Sequence, residues 1–411
     1  MIPGKRAAPR LPFAVYALTL AVFVVGTDKD LIVGVLPGIA RELDVSVATA
    51  GQLATVFAVT YAIGAPVLAA LTADMDRRRL LVSAIVVFAV ANVASAAAPG
   101  YAFLLGSRVA AALGAALYTP AAMATAAAVA PAGTTGRALG VVTAGFSAAA
   151  ILGVPAGALL ASAAGWRTAF VMIAVLAVLA GAALSGGLRD VPGTEAAGLG
   201  DRIRVLRDAP VLRVLGVSAL VQCAGFTVLL YLGPLLAATA GVTGPQLATV
   251  LIVFGAAGLL GTTAAGRWSD RFGAERVLGV ALAWLLVSLL VFGMVARNLI
   301  GVHVAVGVWA VAAWMVSVPQ QARLLRAAPG AATVAISLNS SAMYLGSAFA
   351  GGLGGAVLAG WDAEALPLVA AGLTAVAAVV FAIDTLMTRA PGVRSPPRTG
   401  PDPGRAGDRA R

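Results

Sequence analysis

The chain has 411 residues, of which 60% are hydrophobic and 11% charged, and a formal net charge of +11. Soluble domains carry about 25% charged residues, so the composition excludes an ordinary soluble enzyme and puts most of the chain in a lipid bilayer. One cysteine, Cys223, and one histidine, His303, exclude an intramolecular disulfide and a cysteine- or histidine-built metal centre, and no cofactor is expected.

A helix needs about 20 apolar residues to cross the hydrocarbon core. Runs of that kind predict twelve spans. Six lie at 11–37, 50–73, 80–98, 101–123, 139–161 and 168–188. Six more lie at 211–237, 246–265, 277–295, 300–318, 332–357 and 366–387. The first run is long enough to span and has no small-residue cleavage site behind a short core, so no removable leader is expected. Residues 189–210 are polar, contain Pro192, Gly193 and Gly200, and read as a linker. The expected organisation is a first bundle over 1–188, a cytoplasmic linker over 189–210, a second bundle over 211–389 and a disordered basic tail over 390–411.

Basic residues mark the cytoplasmic side of a membrane protein. With the N-terminus inside, only Arg41, Arg167 and Arg297 fall outside, and Lys29 and Arg108 fall within the membrane. Both termini are therefore expected in the cytoplasm, in an inner or plasma membrane. The same placement removes nucleic acid as a partner, because the basic excess is topological.

Charges inside the spans are the main functional signal. Asp28, Lys29 and Asp30 interrupt the first apolar run. A charge at a helix centre costs roughly 2.5–3.5 kcal/mol on insertion scales, and such residues usually face a bundle interior or a watery path. At 100° per residue, Asp28 and Asp30 point about 200° apart, so the three cannot share one face. Arg108 in the fourth run lies at a similar depth to Asp28. A carboxylate balanced between burial and a nearby cation can act as a proton switch, and it can equally be half of a static ion pair.

The two halves repeat. Asp74 follows the second span and Asp270 the eighth, 196 residues apart. Two parallel six-helix repeats with a site between them is a known transporter plan. The loop with Gly266, Asp270, Arg271, Gly273 and Arg276 resembles the G-x-L-x-D-R-x-G-R-R loop of the major facilitator superfamily. The first copy keeps Asp74, Arg78 and Arg79 but has Ala70, Met75 and Arg77 where Gly, Arg and Gly are usual. Arg108 with Gly114 is similar to the motif of that family's fourth helix. Gly145, Gly153, Pro155 and Gly157 resemble the Gly/Pro-rich antiporter motif of its drug/proton antiporter branch. Asp28, nine residues before Pro37, stands where exporters of that family often carry an acidic residue. The opening, residues 11–79, looks most like bacterial chloramphenicol and related efflux permeases.

The resemblance implies an all-α membrane protein with twelve transmembrane helices in two pseudo-symmetric six-helix bundles, working as a monomer by alternating access. It implies no catalytic residues and, as partners, protons and a small, partly hydrophobic substrate such as an antibiotic. The alternative is a sugar, nucleoside or other metabolite permease on the same fold. It implies that Asp28 faces the cavity as proton carrier, with Arg108 setting its affinity; Asp30 stays open as the carrier instead. Substituting Asp28→Asn is expected to abolish coupled export and leave expression intact. The two Asp/Arg loops are expected to pair across the halves and shut the cytoplasmic side. For the cavity, Tyr61, Phe146, Gln222, Phe226, Trp314 and Asn339 are the candidates, the amides because an unpaired amide in hydrocarbon is costly.

Overall fold

The computed structural model describes residues 10–72, 74–131, 133–188 and 204–389. Residues 1–9, most of the expected linker and the expected tail lie outside the described residues.

Helices are what a lipid-embedded chain must form, because only they satisfy every backbone polar group within one segment. The first six are α1 (Phe13–Glu42), α2 (Val47–Leu71), α3 (Arg77–Ala96), α4 (Tyr101–Val129), α5 (Thr135–Ala164) and α6 (Trp166–Gly187). The next six are α7 (Ala209–Leu230), α8 (Pro245–Phe272), α9 (Ala274–Val295), α10 (Leu299–Ala327), α11 (Ala332–Gly360) and α12 (Leu366–Arg389). A short helix, Leu232–Ala240, continues α7 after a break at Tyr231. Eleven of the described helices are long and apolar enough to cross a membrane. The remaining one, α1, has 30 residues and carries Asp28, Lys29 and Asp30 within its apolar run.

Local chemistry sets the ends. Ser46 accepts a hydrogen bond from the Thr49 amide at 3.0 Å and starts α2. Asp76 accepts from Arg79 at 2.9 Å and starts α3, and Asn298 accepts from Gly301 at 2.8 Å and starts α10. Gly273, with φ of 86°, turns α8 into α9 in a conformation that side-chain-bearing residues avoid. Within α5 a π-helical segment, Ala149–Gly153, precedes Pro155. Proline cannot donate to the ladder, and a π-turn absorbs the missing bond.

Helix α1 begins on one face, called proximal here, and ends on the opposite, distal face. Helices α1–α6 pack on one another, and so do α7–α12. The halves meet where α2 lies along α11, where α1 meets α7 and its continuation, and where α5 meets α8. The proximal part of α5, Thr135–Ala148, packs on α1 and α4 of its own half. A separate apolar cluster built on Val211, Leu215, Leu324 and Ala335 holds the proximal ends of α7, α10 and α11 together.

Candidate functional site

Asp28 and Arg108 meet inside the first half. Arg108 donates from Nη1 to Asp28 Oδ1 at 2.8 Å and from Nη2 to Oδ2 at 3.0 Å. The two side chains are 2% and 0% exposed. The guanidinium lies 4.8 Å from the ring centre of Phe57 in α2 and 5.4 Å from that of Phe170 in α6. Two parallel charge-assisted bonds fix the geometry, and the ring faces favour the cation. Four helices thus enclose one ion pair. Gly114, one helical stretch beyond Arg108, lets α4 approach α3: a Cβ there would lie 2.9 Å from the Ala84 carbonyl oxygen.

Asp28 therefore does not line the space between the halves as expected. That position goes to the next two residues. Lys29 and Asp30 form their own pair at 3.1 Å, each about a quarter exposed. Asp30 lines a small hollow with Ala150 and Val154 of α5 and Leu229, Leu251 and Phe254 of the second half. Lys29 lies 5.9 Å from the ring centre of Tyr344 in α11. Tyr344 stacks on Tyr61 of α2 with ring centres 3.6 Å apart. One helix thus presents a dry pair to its own bundle and a half-wet pair to the other.

The Gly/Pro motif is the seam between α1 and α5. A Cβ on Gly145 would lie 2.8 Å from the Thr19 carbonyl oxygen. Gly153 abuts Thr27 and Gly157 abuts Leu31, with no room for a side chain. These glycines, with Pro155 and its π-turn, press α5 along the helix that carries Asp28. The same π-turn touches the other half, where a Cβ on Gly255 of α8 would lie 2.7 Å from the Ala150 carbonyl oxygen.

On the distal side Tyr231, fully buried at the break in the seventh span, reaches across to Gly51 of α2. Its hydroxyl donates to the Gly351 carbonyl at 2.7 Å. Thr55 donates to the Ala348 carbonyl at 3.4 Å across the same seam. The distal side is closed by these contacts.

The proximal loops behave differently from expectation. Asp74, Arg78, Arg79, Asp270, Arg271, Gly273 and Arg276 are exposed, and Gly266 is half-buried. Arg78 donates to the Ser185 carbonyl at 2.6 Å, within its own half. Arg271 lies over the neighbouring Phe272 ring. The ion pairs seen among the described residues each stay within one half. None of these pairs joins Asp74, Arg78 or Arg79 to Asp270, Arg271 or Arg276, and the halves meet at the distal side and midplane.

The six cavity candidates have different partners. Tyr61 meets Tyr344. Phe146 is half-buried and packs beside Gly26. Gln222 donates to the Ser347 hydroxyl at 3.0 Å, within the second half. Phe226 is buried, Trp314 packs on Gly258, and Asn339 is 8% exposed with its Oδ1 unpartnered.

One cluster escaped the sequence reading. Asp384 of α12 accepts from Arg213 Nε of α7 and from Arg323 Nη2 of α10, both at 2.5 Å. Arg323 also donates to Gln320 Oε1 at 2.9 Å, and Gln320 donates to the Val214 carbonyl at 3.0 Å. Asp384 lies in an apolar run like Asp28, so the argument applied to Asp28 selects it too. Removing one partner of a buried pair costs about 3–5 kcal/mol, because a charge stays buried without compensation. Asp384→Asn is expected to destabilise by about that much. Thermal unfolding in detergent should show a large drop in melting temperature; an unchanged melt would mean the cluster is not a clamp.

Comparisons with known proteins add to this geometry. The model of the Major Facilitator Superfamily matches residues 18–232 and 215–409. The chain is 36% identical over 390 residues to a chloramphenicol resistance protein of Streptomyces lividans, covering 92% of this chain and 98% of that protein. It is 34% identical over 342 residues to the uncharacterized MFS-type transporter YbcL of Bacillus subtilis, covering 83% and 87%. Among solved structures, a bacterial homolog of the human lysosomal transporter Spinster, inward-facing and occupied, matches with a TM-score of 0.72 at 19% identity, over 90% of this chain and 96% of that one. A D-xylose–proton symporter matches with a TM-score of 0.76 at 17% identity, over 90% and 96%. At these identities the solved structures bear on fold alone.

Proposed function

This chain belongs to the major facilitator superfamily, and from that we propose that it exports a small, partly hydrophobic compound in exchange for protons. It is a multi-pass membrane transporter and not an enzyme. The antibiotic-like substrate is supported by the likeness to the Streptomyces lividans chloramphenicol resistance protein.

The observation that carries the proton reading is the Asp28–Arg108 pair, dry and bidentate within one bundle. Ionisable residues inside a membrane mark functional paths. Ionised, Asp28 holds Arg108; protonated, it loses the charge that makes the bidentate grip strong. Arg108 then seeks another partner, and α1 is free to shift against α4. Cargo meets the opposite side of the same helix, at Lys29 and Asp30 and the Tyr61–Tyr344 stack. Coupling therefore runs through α1: the proton on its inner side, the cargo on its outer side, one residue apart. Gly145, Gly153, Pro155 and Gly157 make α5 follow α1, which carries the shift to α8.

The proximal side is the cytoplasmic one on this reading, with both termini there, and the protein works as a monomer. Asp74, Arg78 and Arg79 approach Asp270, Arg271 and Arg276 when the proximal side shuts. Gly273 makes the turn between α8 and α9, and Gly266 lies in the last turns of α8.

Uptake of chloramphenicol into inverted membrane vesicles tests the function. Accumulation is expected with an acid-inside gradient and is expected to vanish when the gradient is collapsed. Accumulation indifferent to the gradient would favour a passive metabolite permease.

A further inference from the structure

Away from the helix ends, the described residues carry four charges: Asp28, Lys29, Asp30 and Arg108. Arg213, Arg323 and Asp384 lie near the proximal ends of α7, α10 and α12. The four midplane charges sum to zero and are shared out as two pairs. Asp28 and Arg108 are dry and hold each other through two bonds. Lys29 and Asp30 are each about a quarter exposed, so of the two pairs this one is within reach of cargo.

That pair is closed on itself. Lys29 donates from Nζ to Asp30 Oδ2 at 3.3 Å and lies 3.1 Å from Oδ1. A cationic cargo reaching for Asp30 must displace Lys29, which the chain tethers beside it. An anionic cargo reaching for Lys29 must displace Asp30 in the same way. The displaced partner finds no second counter-charge at that depth among the described residues, because Arg108 and Asp28 already occupy each other. An ion of either sign therefore leaves a net charge at the midplane, where a charge is costly. A neutral compound leaves the sum at zero. It can still be held, because an ammonium has three donors and one carboxylate does not use them all. Its apolar body has the Tyr344 ring beside it, with the ring centre 5.9 Å from Nζ.

We propose that the Lys29–Asp30 pair is a charge filter: it admits net-neutral cargo with a hydrogen-bonding group on an apolar body, and turns away permanent cations and anions alike. Specificity is a difference of affinities, and repulsion of the wrong partner is one way to build it. Lys29 repels cations and Asp30 repels anions, so removing one member turns the site into a selector of a single sign. The proposal rests on the reading above that cargo meets these two residues, and adds which cargo they accept.

The probes share one aromatic body and differ in charge: naphthylmethanol, naphthylmethyltrimethylammonium and naphthylmethanesulfonate. Their binding to the purified full chain is measured by equilibrium dialysis at neutral pH. The wild type is expected to bind the alcohol more tightly than either ion by roughly tenfold or more. Lys29→Gln is expected to gain affinity for the trimethylammonium probe by a similar factor, because that ion restores the zero sum. Asp30→Asn is expected to gain affinity for the sulfonate instead. Lys29→Gln combined with Asp30→Asn is expected to gain neither ion; it leaves no charge unpaired, so it separates the effect of charge from that of folding. A wild type that binds either ion as tightly as the alcohol overturns the filter, and so does a single variant that keeps the wild-type ratio of the two ions. Failure of all three probes to bind the wild type overturns the placement of cargo beside Lys29, and the filter with it. Dialysis needs no gradient, so a failure of proton-driven export in vesicles is a separate result.

Discussion

Asp28→Asn is expected to reduce gradient-driven export to background. The substitution removes the titrating group and keeps its size. It also strands Arg108, whose guanidinium is enclosed by Phe57 and Phe170 with 2% exposure. Leaving a buried charge unpaired costs about 3–5 kcal/mol, and the asparagine oxygen, still an acceptor, moderates that. Export and stability must therefore be read separately. The double substitution Asp28→Asn with Arg108→Gln removes both charges and is expected to recover the melting temperature without recovering coupling. If the single variant still exports at full rate under a pH gradient, Asp28 is not the carrier. The structure thus revises the expectation of intact expression: a lowered yield of the single variant is part of the account.

Gly255→Ala is expected to give the second large effect, far from any charge. Its new Cβ would lie 2.7 Å from the Ala150 carbonyl oxygen and 2.8 Å from Ile151 Cα. Both are main-chain atoms of the π-turn, so no side chain can swing away. Overpacking of this kind costs about 1–3 kcal/mol. Placed between the halves, that cost falls on the distally shut arrangement. A coupling of about 1–3 kcal/mol corresponds to roughly 5–150-fold in a population, and transport is expected to fall within that range. A Thr55→Cys reporter in the α2–α11 seam should react faster with thiol reagents when Gly255→Ala is added. Equal reactivity and unchanged transport would show that α5 and α8 do not form a fulcrum.

Much of this fold was legible because lipid enforces it. The expected span at 101–123 starts where α4 starts, and most others differ by a few residues at their ends; α8 runs seven residues past the expected 265, through Gly266, Asp270 and Arg271, which were read as a loop. Larger misses have physical causes. Helix α1 runs past Pro37 to Glu42, since a proline interrupts one bond and packing can hold the remainder. Helix α10 extends to Ala327, because its last turns carry Arg323 and Arg326 and read as a loop. Those residues are apolar on one side and, at Arg323, paired with Asp384.

The site was legible in part. Depth along two helices brought Asp28 and Arg108 to one level, and they meet. Rotation was not legible: 100° per residue separates Asp28 from Asp30 but does not say which side of α1 faces the other bundle. Phe57, Phe170 and the α5 glycines decide that, and they are distant in sequence. The Asp/Arg loops were read as a shut gate, but their partners depend on which side is closed, a property of the conformational state. The six cavity candidates were chosen by residue type, and residue type does not report where a side chain packs.

The central claim is that a proton on Asp28 and cargo on the other side of α1 exclude each other. Addition of the exported compound to purified protein in a weakly buffered solution, followed with a pH indicator, tests it most directly. Protons should be released by the wild type and not by Asp28→Asn. Release that persists without Asp28 would contradict it.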